Sequence, residues 1–192
     1  LDFKNYKLIS MPPPSSGGIA LAQLLMMLFT YDLNHIKHNS TEYIHLLSEI
    51  EKRVYADRSM HLGDMDYYNV PVKELLNPIY NKHRSKDINL KKATPSDSIS
   101  YGAPHFYEGE ETTHFSIIDN FGNSVSVTTT LNTSYGSKLF VNKRGFLLNN
   151  EMDDFSSKPG SPNTYGLLGS KANSIQPEKR MLSSITPSIL EK

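Results

Sequence analysis

Met11-Pro12-Pro13-Pro14-Ser15-Ser16-Gly17-Gly18 constrains this chain more than any other stretch of its 192 residues. Three prolines each hold φ at about −65° and remove three backbone donors. Neither a helix interior nor a central strand can run through them. The run is predicted to be extended. Ser15 or Ser16 then caps a helix over residues 19–31, whose apolar side chains lie all round the cylinder as in a buried helix.

A second helix is predicted over residues 40–62. Asn39 with Glu42 three positions on resembles a capping box, and Tyr43, Leu47, Ile50 and Val54 step along one helical face. A third stretch, residues 72–83, contains Pro78 and is predicted to be short or kinked. Residues 84–111 change character and end in Glu108-Gly109-Glu110-Glu111, which reads as a mobile, exposed linker. From Thr112 the period becomes two. Residues 112–119 and 124–130 are β-rich runs around Asn120-Phe121-Gly122-Asn123, a hairpin signal. Residues 146–148 predict a short strand, residues 153–173 a long loop, and residues 185–190 the opening of another strand. Helices first and strands second predict a layered α/β arrangement.

The charge balance narrows the partners. Twenty basic and twenty acidic residues leave a formal net charge of zero, with no basic stripe of the kind nucleic-acid binding needs. Cysteine is absent, which excludes disulfide staples, thiolate metal sites and a cysteine nucleophile. No apolar stretch reaches the ~18 residues of a membrane span. His35 and His38 have no third ligand in a recognisable pattern, so no metal site is predicted.

Three segments carry chemistry. Thr112-Thr113-His114 opens the first long strand. A threonine hydroxyl is a poor nucleophile without a base, and a threonine that becomes the first residue of a chain gains one in its own α-amine. That requires cleavage of the Glu111–Thr112 bond; β-propensity alone also explains two threonines at a strand start. Asn149-Asn150-Glu151-Met152-Asp153-Asp154-Phe155-Ser156 groups three carboxylates within four positions. Such a turn suits an ammonium group or a divalent cation, or is simply solvated, and it lacks the alternating spacing of an EF-hand. Lys179-Arg180-Met181-Leu182-Ser183-Ser184 sets two hydroxyls beside two cations, a pattern that fits a carboxylate ligand or an ordinary turn.

In this order the segments resemble the γ-glutamyltranspeptidase family of N-terminal-nucleophile hydrolases. Pro12-Pro13-Pro14-Ser15-Ser16-Gly17-Gly18 and Tyr55-Ala56-Asp57-Arg58 are similar to its large subunit. Thr112-Thr113-His114-Phe115-Ser116, Gly122-Asn123 and Thr128-Thr129-Thr130-Leu131-Asn132 are similar to the start of its small subunit, and the acidic and paired-serine segments complete the likeness. The resemblance implies a four-layer αββα sandwich, incomplete in this chain. Residues 1–111 would be the C-terminal part of the large subunit and residues 112–192 the N-terminal part of the small subunit, both within one domain.

The resemblance also implies roles. Thr112 would be the nucleophile, freed by autoprocessing after Glu111, with Thr130 orienting its hydroxyl. Asn132, Glu151 and Asp154 would hold the α-ammonium of a γ-glutamyl group, and Ser183 and Ser184 its α-carboxylate. The activity implied is transfer or hydrolysis of glutathione and related γ-glutamyl compounds through a γ-glutamyl-threonine ester. Water or an acceptor amino acid or peptide would resolve the ester, without metal or cofactor, in a periplasmic or extracellular protein. The family's oxyanion-hole glycines and an arginine for the α-carboxylate have no counterpart in these residues, so the chain resembles the middle of a precursor. Two other readings stay open: a poly-γ-glutamate or other acyl-side-chain hydrolase of the same superfamily, and a truncated, inactive fragment that serves only as a binding or structural piece.

The full-length parent is expected to cleave itself between Glu111 and Thr112, and Thr112→Ala to leave a single chain. N-terminal sequencing of the smaller product checks this; a start at any residue other than Thr112 removes the assignment.

Overall fold

The computed structural model describes residues 1–3, 5–100, 112–158, 160–161 and 169–192. Among these, two strands come first, β1 (Asp2–Phe3) and β2 (Tyr6–Ser10). The helices α1 (Gly17–Leu28), α2 (Thr41–His61), α3 (Val72–Leu75) and α4 (Pro78–Ser85) follow. The remaining strands are β3 (Thr112–Ile118), β4 (Ser124–Thr130), β5 (Phe140–Val141), β6 (Phe146–Leu147) and β7 (Ser188–Glu191). They form three small antiparallel sheets, ordered β1-β2-β7, β3-β4 and β5-β6. The mixture of helix and strand agrees with the sequence reading. The pairing of β2 with β7, Leu8 opposite Leu190 and Ile9 opposite Ile189, was not predicted.

The proline run does not stay extended. It turns, with the Ser15 N–H donating to the Pro12 carbonyl at 3.1 Å, and this turn sets Ser15 in a parallel bridge with Ser183. Two glycines permit the approach. A Cβ on Gly17 would collide with the Ile185 carbonyl and the Thr186 side chain, and one on Gly18 would collide with the Met11 carbonyl. The Ser16 side chain stands at the N-cap of α1 yet makes no capping bond; its hydroxyl donates to the Ser183 carbonyl at 2.8 Å instead. The Ser15 hydroxyl takes the local role, accepting from the Gly17 N–H at 3.2 Å.

The cap of α2 is Ser40, whose side chain accepts from the Tyr43 N–H at 3.3 Å, and not Asn39. Asn39 has φ of 58°, a left-handed conformation unlike the extended one an N-cap needs, and Ser40 adopts that extended one. The buried face of α2 includes Leu46, Ile50 and Val54, but also Glu49, Arg53 and Asp57. Tyr43 and Leu47 are only partly covered. The buried charges are paired, as burial in a poorly solvating interior demands. Arg53 reaches Glu49 at 3.0 Å and Asp87 at 2.9 Å; Asp57 accepts from Gln23 and Tyr80 and pairs with Arg84 at 3.0 Å.

The third helical stretch, predicted to be short or kinked, is two short helices that divide just before Pro78. α4 starts at that proline, with the Asn77 side chain accepting from the Ile79 N–H at 2.8 Å. Residues 86–100 depart from the mobile-linker expectation. Ile88 and Ile99 are buried, and the Thr94 N–H donates to Glu49 Oε1 at 2.9 Å. Burial pushes the Glu49 carboxyl up, but bonds from Lys52, Thr94 and Arg53 outweigh it and bring its pKa to about 2. The acidic end of the linker, residues 101–111, lies outside the described residues.

Two apolar clusters form the core. Met27, Leu28, Leu46, Ile50, Val54 and Ile88 hold α1 to α2. Ile19, Leu62, Val70, Leu75 and Leu182 bring the chain just before Ser183 under the start of α1. The hairpin of β3 and β4 is as predicted, its turn held by Asp119 Oδ1, which accepts from the Phe121 and Asn123 N–H groups. Among the described residues no helix is long and apolar enough to cross a membrane.

Gly17→Ala should lower stability by about 1–3 kcal/mol, because the added methyl has no room against the Ile185 backbone. Urea unfolding monitored by circular dichroism measures it, with an unchanged midpoint as the contrary result.

Candidate active site

The register of β3 and β4 puts Thr112 directly opposite Thr130, on the same face of the hairpin. Thr130 Oγ1 accepts from the Asn132 N–H at 3.0 Å. The strand then bends at Asn132, where φ is 75°, and the buried Asn132 side chain donates to the Asn150 carbonyl at 3.2 Å. Asn150 answers with its side-chain oxygen, which accepts from both the N–H and the hydroxyl of Thr133 at 3.1 Å. The end of the hairpin is thus sewn to the acidic turn.

That turn is a 3₁₀ helix, Glu151–Asp154. Burial is the largest influence on Asp154 and pushes its pKa up to about 6; the nearby Arg58 guanidinium opposes the rise, and the Glu151 and Asp153 charges add to it. Burial raises the Glu151 carboxyl as well. Among the described residues, no group of three or more histidines or carboxylates is arranged to hold a metal ion.

The two cations of the paired-serine segment do not stand beside the serines. Lys179 donates to the Ala172 carbonyl at 2.9 Å. Arg180 clamps the buried Asp64, with its Nε and its backbone N–H both 2.9 Å from Oδ2, and this holds the Asp64 pKa at about 2. Both are spent on anchoring the segment, because a buried carboxylate and an inward carbonyl leave them better partners than solvent. Leu182 plugs into the core, and its N–H donates to Asn173 Oδ1 at 2.9 Å. Ser183 Oγ accepts from the Ile185 N–H at 3.2 Å. Ser184 Oγ accepts from Arg58 Nη2 at 2.9 Å. Each hydroxyl is engaged as an acceptor, so each keeps its O–H as a donor.

Asn173 joins the acidic turn to the paired-serine segment. Its Nδ2 donates to the Asp154 carbonyl at 2.7 Å, while its Oδ1 receives the Leu182 N–H. The structure therefore connects Thr112 to Thr130 by register, Thr130 to Asn132 by a hydrogen bond, Asn132 to the Glu151–Asp154 turn through Asn150, and that turn to Leu182, the residue before Ser183, through Asn173. Glu151 shares with Asp154 only the turn and its charge. Glu111 lies outside the described residues.

Three residues of this assembly carried no predicted role: Arg58, Asn150 and Asn173. Arg58 and Asn150 fall inside segments that resemble the family, which was the available signal. Asn173 sits in a Gly- and Ser-rich loop with none.

The sequence model described as Gamma-glutamyltranspeptidase matches residues 1–192. This chain belongs to the γ-glutamyltranspeptidase family. It is 47% identical over 191 residues to the glutathione hydrolase proenzyme of Escherichia coli K12, and 50% identical over 194 residues to that of Pseudomonas aeruginosa. Each alignment covers 100% of this chain but only 33% and 34% of those relatives, so the chain spans about a third of their length. The crystal structure of cephalosporin acylase from Bacillus halodurans superposes on the whole chain with a TM-score of 0.71, at 21% identity and over 31% of that protein. It shares the fold.

Asp154 also makes a stability prediction. Its folded-state pKa lies above the ordinary 3.8, so ionising it costs stability. The cost is absent below about pH 4, grows as pH rises towards about 6, and is complete above that. Asp154→Asn should therefore be more stable than the parent at about pH 7.5, on the order of 1–3 kcal/mol, with the gain gone near pH 4. Thermal unfolding at the two pH values measures it; a gain that does not depend on pH would contradict the account.

Proposed function

We propose that this chain carries the nucleophile and much of the donor pocket of an autoprocessed γ-glutamyltranspeptidase that acts on glutathione and related γ-glutamyl compounds. The observation that supports the reading is the chemistry of the two segments that Asn173 ties together. One carries the Ser183 and Ser184 hydroxyls, each accepting a hydrogen bond and able to donate its proton, and the other carries the Asp154 and Glu151 carboxylates. A γ-glutamyl group is a zwitterion at its α-carbon. It needs donors for its carboxylate and acceptors for its ammonium, and holding both ends fixes where its γ-carbonyl lies.

The chemistry follows from that placement. After cleavage at Glu111–Thr112, the Thr112 α-amine takes the proton of the Thr112 hydroxyl as the oxygen adds to the γ-carbonyl. Thr130 orients that hydroxyl. The amide C–N bond breaks, the leaving amine takes up the proton, and a γ-glutamyl-threonine ester remains. Water or an acceptor amine then adds to the ester carbonyl, the bond between that carbon and Thr112 Oγ breaks as Oγ takes back the proton given up by the nucleophile, and glutamate or a new γ-glutamyl compound leaves. Asn132, Glu151 and Asp154 hold the α-ammonium throughout. The step uses no metal or cofactor. In this reading residues 1–111 and 112–192 belong to the large and small subunits of one domain, an αββα sandwich, in a periplasmic or extracellular enzyme.

Removing one partner of a desolvated charge pair costs on the order of 2–5 kcal/mol. Asp154→Asn in the full-length enzyme should therefore cut kcat/KM for a γ-glutamyl anilide at least ~30-fold, at ~1.4 kcal/mol per factor of ten. A glutaryl anilide, which lacks the α-amine, should show little of that loss. Equal turnover of the two donors by the parent enzyme would refute the assignment of Asp154 to the ammonium.

A further inference from the structure

We propose that Arg58 is a positioning residue of the donor pocket: its guanidinium engages the Ser16 and Ser184 hydroxyls as acceptors and so orients the Ser184 O–H away from the cation, to donate to the substrate's α-carboxylate. This rests on the function proposed above and adds to it a residue to which no role had been given.

Arg58 lies in the last turn of α2 with only 5% of its surface exposed, and a guanidinium buried to that degree needs partners. It finds hydroxyls. Nε donates to Ser16 Oγ at 2.9 Å and Nη2 donates to Ser184 Oγ at 2.9 Å. A guanidinium has five donors and no acceptor, so the direction of both bonds is settled by chemistry. Ser16 then spends its own O–H on the Ser183 carbonyl. Ser184 has no such outlet among the described residues: its oxygen receives a charge-assisted bond, and its O–H points to no described group. A free hydroxyl rotates and offers a lone pair as readily as a proton. One that accepts from a cation keeps a lone pair turned to the guanidinium and its O–H turned away from it, where a carboxylate ligand can receive the proton.

Charge supports the same role. Lys179 and Arg180, next to the serines in sequence, are committed to Ala172 and Asp64. Arg58 brings positive charge to the serine end in their place. The charges facing Asp154 are Arg58, Glu151 and Asp153, and of these only Arg58 favours the ionised carboxylate that an α-ammonium requires. The planar fork is essential. A lysine keeps the charge but offers a single point donor, which cannot hold two hydroxyls in separate directions.

The test uses the full-length processed enzyme and two anilide donors. One is the γ-glutamyl anilide; the other is the 4-aminobutyryl anilide, which keeps the amine and lacks the α-carboxylate. Arg58→Lys should raise KM for the γ-glutamyl donor about 10-fold or more with kcat within about 3-fold, and leave the 4-aminobutyryl donor within about 2-fold of the parent, the pattern of lost carboxylate binding. Equal losses on both donors would mean that Arg58 only supports the fold, and unchanged kinetics would mean that it does nothing for the pocket; either overturns the proposal. If Arg58→Lys does not fold or process, Ser16→Ala removes the Nε partner and leaves the cation. It should raise KM for the γ-glutamyl donor alone, by about 3-fold, and no selective rise overturns the proposal. The parent enzyme separates this inference from the reading beneath it. A parent that turns over both donors alike defeats the pocket assignment and the inference together. A parent that discriminates, with an Arg58→Lys variant that discriminates equally well, defeats the role of Arg58 alone.

Discussion

Ser15 and Ser183 meet in a parallel bridge between two distant parts of the chain, and the backbone around them exchanges hydrogen bonds in both directions. The Ser16 N–H donates to the Ser183 carbonyl at 2.8 Å, and the Ser183 N–H donates to the Pro14 carbonyl at 3.2 Å. This contact needs backbone against backbone, which is why Gly17 faces the Ile185 carbonyl with no Cβ between them. It also places the start of α1 beside the paired serines. From there Arg58, on the neighbouring α2, reaches both Ser16 and Ser184. The N-cap hydroxyl of α1 is diverted from its own helix to make the connection, and the Ser15 hydroxyl covers the Gly17 N–H in its stead.

The distribution of charge follows from the same geometry. α2 buries Glu49, Arg53, Asp57 and Arg58 along a face that also packs against α1. Unpaired charges there would cost several kcal/mol each, so each has partners. Arg53 lies between Glu49 and Asp87, and Asp57 is enclosed by Gln23, Tyr80 and Arg84. Lys179 and Arg180 satisfy an inward carbonyl and a buried carboxylate. They hold the serine segment in place without facing it. Asparagines then do the joining: Asn150 links the hairpin to the acidic turn, and Asn173 links that turn to the segment before Ser183. An amide suits this task because it donates and accepts at once, and so can bridge two backbones that run past each other.

The elements that depend on neighbouring residues were legible in the sequence. The break at Pro78, the two helices on either side of residue 32 and the hairpin at Asn120-Phe121-Gly122-Asn123 all follow from φ restriction, periodicity and turn chemistry over a few positions. So did the segments that carry the candidate site, since their order along the chain already resembled the family to which the chain belongs. Local reading was weaker where two local signals competed. Asn39 and Ser40 both suit a helix start, and the choice fell to Ser40 because Asn39 is left-handed.

What local reading could not supply was everything made by residues far apart in sequence. The pairing of β2 with β7, the burial of residues 86–100 against α2, and the turn of the prolines towards Ser183 each depend on a partner whose position the chain specifies only once it is folded. The same holds for charges. Sequence places Lys179 and Arg180 beside the serines and Arg58 far from them, yet the folded chain commits the first two to Ala172 and Asp64 and brings Arg58 to Ser184. Sequence alone determined which side chains were available. Tertiary structure decided which partners they reach, because a cation goes to the acceptor that packing brings within about 3 Å, whatever lies next to it along the chain.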